Sequence, residues 1–594
     1  MMRAGRSGTG FRLGCTMLLL LAPVATARAI SLDKEGDIKL SMRAYTNVRL
    51  GTEATDKLVT SVQDSQTFPY SPAGHVRQQR SLLDLELDHN LKSLISRGAG
   101  PFVLFDYLPF KFKTLSYHLE YRGEFDTIYD FGPDEYSTAE QYYRIAPNPV
   151  TGNQVNVPAE RQRLRHVAST RNRLFQAYVE GTVGNLFMRF GRQLLAWGET
   201  DGFRLLDNIN PIDNGFGGFL ISLDERRMPL DMLRLQYFIG QMGPISEAFV
   251  EAYGAIDTTV SWDPGIPNGS PWGLPNVNVP SPSSRSFRYD PTRTFDDARG
   301  GARLVFNAWD ATFSVAQYWT NVDTPGVQVL VPPGFPVSFD PATYPHAFPD
   351  NYQVHTAQNA PKVMITGAST TFAIPKFYSV VRSEFAYFND EPRFTQRGLD
   401  PFLFQYLDSD NNLIADPAVR AQRTTGGLDR GDSLNFVLGY DMNQYIRFLN
   451  PNQTFFFTTQ FFYRHLLNAA KREQIPGFPV EDGEVQPVVG KLVSPGIFGG
   501  APAEPMYVKQ DTDQLLQTLS VATSYRSGMI NPVFTIFYDW SGALLYQPGV
   551  TIIRDPFRFA IDYSIIDAHT LKGNSGLSLY KDRDNVQFRI EYVI

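Results

Sequence analysis

Along residues 114–126, Leu115, Tyr117, Leu119, Tyr121 and Phe125 alternate with Ser116, His118, Glu120, Arg122, Glu124 and Asp126. A side-chain period of two marks a β-strand with one greasy and one charged face. The pattern returns with Phe557, Phe559, Ile561, Tyr563 and Ile565 opposite Arg558, Asp562 and Ser564. It returns again with Val586, Phe588, Ile590, Tyr592 and Ile594 opposite Gln587, Arg589 and Glu591. Such a strand either buries its greasy face in a dry core or turns it to lipid around a wet lumen. Length favours lipid. Segments 36–50, 112–127, 433–446, 453–466 and 514–526 are of the long kind. A tilted membrane strand needs about 9–11 residues, against roughly 5–6 in globular sheets.

The connections give an independent signal. Tight joints fall at Gly184-Asn185, Gln241 to Pro244, Asn307-Ala308, Pro375-Lys376, Asn450 to Asn452, Ser527 to Asn531 and Asp555-Pro556. Between them lie long polar stretches rich in Pro, Asn, Asp and Gly, at 51–80, 129–170, 193–231, 261–298, 321–360, 390–432 and 467–513. A soluble sandwich has no reason to collect every long loop at one end, whereas outer-membrane barrels have short periplasmic turns and long outside loops. The expected fold is therefore an all-β, antiparallel transmembrane β-barrel. Spans are predicted at 36–50, 81–92, 112–127, 171–183, 185–192, 231–240, 246–260, 299–307 and 309–320. They continue at 361–374, 377–389, 433–446, 453–466, 514–526, 531–541, 549–554, 557–567 and 584–594. That is eighteen strands, or sixteen if the two weakest, 185–192 and 549–554, are set aside. The connection 93–111 breaks the short-turn rule, and its Phe102 to Phe105 reads as a small periplasmic element.

The start of the chain fits export. Arg3, Arg6 and Arg12 precede the apolar run Met17 to Leu21, and Ala27-Arg28-Ala29 supplies a small-x-small cleavage site. Residues 1–29 thus read as a cleaved signal peptide, with 30–594 as a single barrel. Cleavage would remove four arginines and no acid, leaving the mature chain more acidic than the −7 of the full sequence. It would also remove Cys15, the one cysteine. Disulfides, thiolate metal sites and cysteine nucleophiles are then excluded, and the acidic balance argues against nucleic-acid binding.

Three motifs follow in order: Gly191-Arg192-Gln193 to Trp197-Gly198-Glu199, then Ile209-Asn210-Pro211-Ile212-Asp213, then Arg226-Arg227 ahead of a strand. With the C-terminal Asp582-Arg583-Asp584 leading into a last alternating strand, this arrangement resembles a proteobacterial family of outer-membrane proteins known only as a domain of unknown function. The resemblance implies a large barrel in the Gram-negative outer membrane, in a family linked with export or uptake of apolar or lipid-like compounds. The stretch after the Ile-Asn-Pro motif departs from the family pattern, reading Gly217 to Leu223 here.

The 193–231 connection differs from the other long loops. It carries Trp197, Phe203, Leu205, Leu206, Ile209, Phe216, Phe219, Leu220 and Ile221, too apolar for a segment exposed to water. It is expected to fold inward as a constriction. Its candidate pore residues are Arg192, Trp197, Glu199, Arg204, Asp207, Asn210, Asp213, Asp224, Glu225, Arg226 and Arg227. On the wall, Glu120, Arg122, Glu180, Arg382, Glu384, Arg464, Arg558, Arg589 and Glu591 read as lumen-lining, since Arg at the lipid midplane costs about 2–4 kcal/mol. The plainer reading of these charges is that they pair across strands and hold wall and loop together.

Catalytic signatures are missing: no H-x-x-x-H, G-x-S-x-G or P-loop occurs. Asp408 to Asn412 imitates the start of a calcium loop but lacks the Gly and Glu an EF-hand needs. Neither cofactor nor metal nor enzymatic activity is expected. Tyr107, Tyr129, Phe131, Tyr237, Phe238, Tyr318, Trp319, Tyr538 and Trp540 read as an interfacial belt. The expected function is a porin-like channel passing small or apolar solutes. Its expected partners are outer-membrane lipid, the barrel-assembly machinery and a periplasmic or inner-membrane transport partner. The alternative is a barrel scaffold or sheath for a periplasmic partner in lipid export or electron transfer, without free diffusion.

Overall fold

The computed structural model describes residues 29–54, 72–96, 107, 111–132, 169–213, 215–216, 220–261, 286–289, 291–323, 326–331, 355–392, 405–406, 430–467, 473–474, 507–508, 512–568, 577–580 and 583–594. The signal peptide reading, the Phe102 to Phe105 element and the Asp408 to Asn412 turn lie outside the described residues.

Eighteen long strands form the barrel, in chain order around the ring. They are β1 (Ile38–Gly51), β2 (Val76–Asn90), β3 (Phe112–Asp126), β4 (Thr170–Val183), β5 (Leu186–Gln193) and β6 (Leu230–Met242). Next come β7 (Ile245–Ala255), β8 (Arg299–Ala308), β9 (Ala311–Asn321), β10 (Lys362–Ile374), β11 (Ser379–Pro392) and β12 (Arg430–Gln444). The last six are β13 (Phe455–Leu466), β14 (Asp513–Ala522), β15 (Ile530–Asp539), β16 (Ala543–Arg554), β17 (Phe557–Ala568) and β18 (Asn585–Val593). Every neighbouring pair is antiparallel, and β18 closes on β1 with Arg43 opposite Val593 and Gly51 opposite Asn585. Closure leaves no unpaired sheet edge, which a lipid environment requires.

The eighteen-strand reading holds, and both weak spans are strands. The main boundary error is β16, which begins at Ala543 and runs through Pro548-Gly549. Pro548 pairs with Phe534 of β15, while Gln547 and Pro548 have no register partner on β17. A proline without its N–H is tolerated where one side of the ladder lapses.

The period of two sorts the wall. Leu119, Leu174, Val179, Phe190, Leu233, Val250, Leu304, Val315, Phe385, Phe436, Leu438, Phe461, Ile561, Phe588 and Ile590 are exposed on the outside. Arg80, Asp84, Glu120, Arg122, Glu124, Glu251, Glu384 and Glu591 are buried on the inside. A continuous greasy exterior on this scale is a surface for hydrocarbon, since water-soluble monomers keep apolar patches small. The belt assignment fails for two residues. Tyr318 and Tyr129 are buried; Tyr318 sits beside outward Trp319, so the strand period turns it into the lumen.

One end of the barrel carries most of the short joints, together with Ile38, Val593 and the longer Asn90 to Phe112 connection; the other carries the remaining long connections and the short Asp539 to Ala543 joint. At the long end, Ser286–Tyr289, Gly326–Val331, His355–Asn359 and Gln405–Tyr406 form a separate four-stranded sheet. Two of its pairings are parallel and join different loops, a feature that leaves no local pattern in the sequence.

Candidate functional site

The chain leaves β5 at Gln193 and returns at Leu230 to start β6, and both ends of this connection are stitched by one buried amide. The Asn210 side chain donates to the Met228 carbonyl at 2.9 Å and to the Gln193 carbonyl at 3.4 Å, and accepts from the Leu195 amide at 2.8 Å. Beyond it, Met228 N–H donates to Pro211 (2.8 Å) and Asp213 N–H to Arg226 (2.6 Å), a short ladder that ties the outgoing and returning strands of the loop together. A short helix, α1 (Leu223–Arg226), lies at the turn.

The first half of the loop has an apolar sole. Leu195, Trp197, Leu205, Leu206 and Ile209 pack with Tyr253 of β7, Ala316 and Tyr318 of β9, Val363 and Ile365 of β10, Ala386 of β11, Val437 of β12 and Phe462 of β13. The Trp197 ring meets Tyr253 and Tyr318 edge-on, with centroids at 5.4 and 5.5 Å. Arg303 lies over Trp197 at 5.2 Å and is itself held by Glu251 at 2.6 Å. Gly367 of β10 makes room for this packing, because a Cβ there would collide with the Leu206 side chain. Phe203 extends the contact to Phe537 of β15, at 4.8 Å.

Polar contacts follow the same wall. Glu384 of β11 accepts the backbone N–H groups of Glu199 and, at 3.1 Å, Leu206. Arg382 donates to the Glu199 carbonyl at 2.6 Å and to Asp201 at 2.6 Å. Thus Glu199 meets these two wall residues through its backbone, while its side chain is exposed. Arg204 pairs with Asp323 and donates to the Asn210 carbonyl. Arg227 pairs with Asp207 and Asp224, and Arg226 is half-buried near Arg204, Asp213 and Asp323. Burial pushes the Asp207 carboxyl above its ordinary range, against the pull of Arg227 and Arg204. Arg192 stays at the barrel wall, 3.8 Å from Asp231 and 3.9 Å from Asp257.

The second half of the loop reaches a different wall. Glu225 accepts from Arg43 at 2.7 Å, Tyr45 at 2.6 Å and Arg80 at 2.9 Å, and Arg122 donates to its backbone carbonyl at 3.2 Å. Asp213 accepts from Arg171 at 2.6 Å and Arg173 at 3.3 Å. Buried Glu124 links the two groups, bonding Arg80 at 3.0 Å, Arg171 at 3.2 Å and Arg173 at 2.8 Å. Burial alone would raise the Glu225 carboxyl; Arg80, Arg43, the Tyr45 hydroxyl and Arg589 reverse that and hold it well below its ordinary range.

These two walls face each other. Glu225 is held by β1 and β2, while Glu199 and Leu206 are held by β11; β2 and β11 stand nine places apart in the ring of eighteen. A segment bonded to inward residues at both positions crosses the lumen.

The wall residues named from sequence all lie on the inner face, and most are paired. Arg122 binds Asp84 at 2.8 Å and Glu120 at 3.1 Å; Glu180 binds Arg189 at 2.6 Å. Arg464 binds Glu391 at 2.6 Å, and Glu591 binds Arg43 at 2.6 Å and Arg589 at 3.1 Å. Arg558 sits opposite Glu591 in register. Sequence reasoning missed Arg43, Tyr45, Arg80, Arg171 and Arg173, which alternate with outward residues and obey the same rule that found Arg122; Glu124, on the same charged face as Arg122, belongs with them in the site. Among the described residues one acidic trio, Asp33, Glu35 and Asp37, brings its carboxylate oxygens within 4.8 Å of one another. There Asp33 caps the entry to β1 by accepting from the Asp37 and Ile38 amides at 3.2 and 3.0 Å.

The chain matches, over residues 10–593, the family described as a protein of unknown function, DUF1302. It belongs to that family. No curated protein matches it. Among solved structures, it is similar to Salmonella typhi OmpF in complex with daunomycin, at 9% identity, covering 94% of this chain and 98% of that one, with a TM-score of 0.36. It is also similar to Acinetobacter baumannii OccAB3, at 8% identity over 94% of this chain and 99% of that one, TM-score 0.39. A third is Pseudomonas aeruginosa OccK8 (OprE), at 10% identity over 94% and 98%, TM-score 0.38.

Proposed function

We propose that this DUF1302 protein is a channel of the Gram-negative outer membrane, passing small or apolar solutes through a lumen narrowed by segment 193–231. The observation that carries this reading is the attachment of one segment to opposite inner walls, by an apolar sole on β7–β13 and by carboxylates on the arginines of β1, β2 and β4. A bar of this kind divides the cross-section into narrower passages. It also brings acids and bases face to face, and such opposed charges set a transverse field that selects solutes by charge and dipole. Assembly machinery would insert the barrel, and a periplasmic or inner-membrane partner would supply direction.

Planar-bilayer recording of the purified protein tests the reading. Stable single-channel steps are expected, with larger conductance in the double variant Glu225→Gln/Asp213→Asn, whose loop loses its hold on one wall. A silent wild-type protein that co-purifies with a periplasmic partner would overturn it in favour of a scaffold.

A further inference from the structure

The wall that grips the loop carboxylates is a preformed anion site. Arg43, Arg80, Arg171 and Arg173 take the oxygens of Glu225 and Asp213 in charge-assisted hydrogen bonds, the geometry in which arginine recognises a carboxylate. Arg589 approaches Glu225 to 3.8 Å, and it stacks on the Tyr45 ring at 4.1 Å, with Arg43 over the same ring at 5.3 Å. The strands supply their own acids to this wall, Asp84, Glu120, Glu124 and Glu591. Even so, Glu225 and Asp213 are bound as guests from another part of the chain.

Two further features separate this cluster from simple pinning. The Nε atoms of Arg80, Arg171, Arg173 and Arg589, and Nη1 of Arg171, are buried without a hydrogen-bond partner, so donors remain after the loop carboxylates have docked. Access is uneven as well: the Arg80 side chain is 2% exposed, whereas those of Arg43 and Arg589 are 31% and 23% exposed. The outer members of the cluster therefore meet the lumen, while the inner one sits behind them.

We propose that the arginine wall of β1, β2, β4 and β18 is a binding site for carboxylate-bearing solutes, which Glu225 and Asp213 occupy in the resting channel. This rests on the channel reading given above. An entering carboxylate binds first at Arg43 and Arg589, whose side chains are partly exposed. It then competes with Glu225 for Arg43 and Arg80, and releases the loop from that wall as it passes. Within the cluster itself the most exposed charges are the guanidinium groups of Arg43, Arg173 and Arg589.

Two measurements on the full-length protein test this. In detergent, benzoate is expected to bind wild-type protein by calorimetry, while neutral benzyl alcohol shows none of that binding. Affinity should fall at least tenfold in Arg43→Gln/Arg589→Gln and rise in Glu225→Gln, which removes the competing carboxylate. In bilayers, Glu225→Gln/Asp213→Asn should shift the reversal potential under a KCl gradient toward anion preference, and benzoate should reduce wild-type current but not that of Arg43→Gln/Arg589→Gln. Heat-modifiable migration in gels confirms that each variant is a folded barrel, and Arg43→Lys serves as a milder second variant. Equal benzoate binding by wild type and the double arginine variant would overturn the proposal, whether or not the protein conducts. Clear channel steps with unchanged ion preference in the carboxylate variant would overturn it and leave the channel reading intact. Absence of steps, with benzoate binding retained and arginine-dependent, would instead remove the channel and keep the site.

Discussion

Asn210→Ala should unfasten the loop without unfolding the barrel. The side chain is fully buried and makes three hydrogen bonds, to Met228, Gln193 and Leu195. Alanine leaves at least the Leu195 N–H and the Met228 carbonyl buried without these partners. Each such group costs about 1–3 kcal/mol, so even the lower bound for two is about 2 kcal/mol, roughly a 30-fold shift toward the undocked loop. None of the strand ladders involves the Asn210 side chain, so the thermal unfolding of the barrel should stay where it is. Hydrogen–deuterium exchange is the direct assay: amides across 195–230 should exchange faster by about that factor, while strand amides keep their protection. Asn208→Ala is the control, because Asn208 donates a single bond, to the Leu205 carbonyl at 2.6 Å, and should accelerate exchange far less. If Asn210→Ala left loop exchange unchanged, or loosened strands and loop alike, the stitched-hairpin account would be wrong.

Trp197→Ala removes the ring that meets Tyr253, Tyr318 and Arg303, and should weaken the docking of the sole by about 3–5 kcal/mol, raising conductance and current noise in bilayer recordings. Acid should release Glu225 late. Its folded pKa lies below the ordinary 4.5, so the stabilisation it gives is complete above that value and is lost only as pH falls through the lower, folded one. The share of loop protection that Glu225 supplies, read as the difference between wild type and Glu225→Gln in protease digestion, should be flat from neutral pH down to 4.5; a midpoint of that difference at or above 4.5 would contradict the geometry. On the outside, Ile590→Arg puts a charge in the lipid band and should cost about 2–4 kcal/mol near mid-membrane, measured by folding into vesicles, with Ile590→Ala much milder.

The strands were legible because each turns one face to hydrocarbon and the other inward, and that demand writes a period of two into the chain. The rule needs only a dozen residues at a time. It therefore located even Leu186–Gln193, the shortest barrel strand, and it stumbled at Gln547-Pro548-Gly549, where turn chemistry is written into a strand whose ladder lapses on one side. Its misuse is equally instructive. Tyr318 and Trp319 were read together as a belt, although adjacent strand residues face opposite ways; Trp319 is exposed and Tyr318 bonds the Leu206 carbonyl at 2.8 Å.

The loop was half legible for a related reason. An apolar segment between two barrel strands has to find cover, and Trp197, Leu205, Leu206 and Ile209 announce that need without naming the wall that meets it. The charges are less determinate still. Arg227 takes a partner three residues away, Asp224, as well as Asp207, whereas Glu225 bonds Arg43 across 182 residues and Arg80 across 145. No spacing rule links a loop acid to a strand base at such separations. The choice follows from where the sole lands. Once Leu206 seats beside Gly367 on β10, the length of chain left before Leu230 carries α1 across to β1 and β2, and Glu225 is the acid that arrives among the arginines. The apolar contacts, readable as a tendency, thus select the ionic ones.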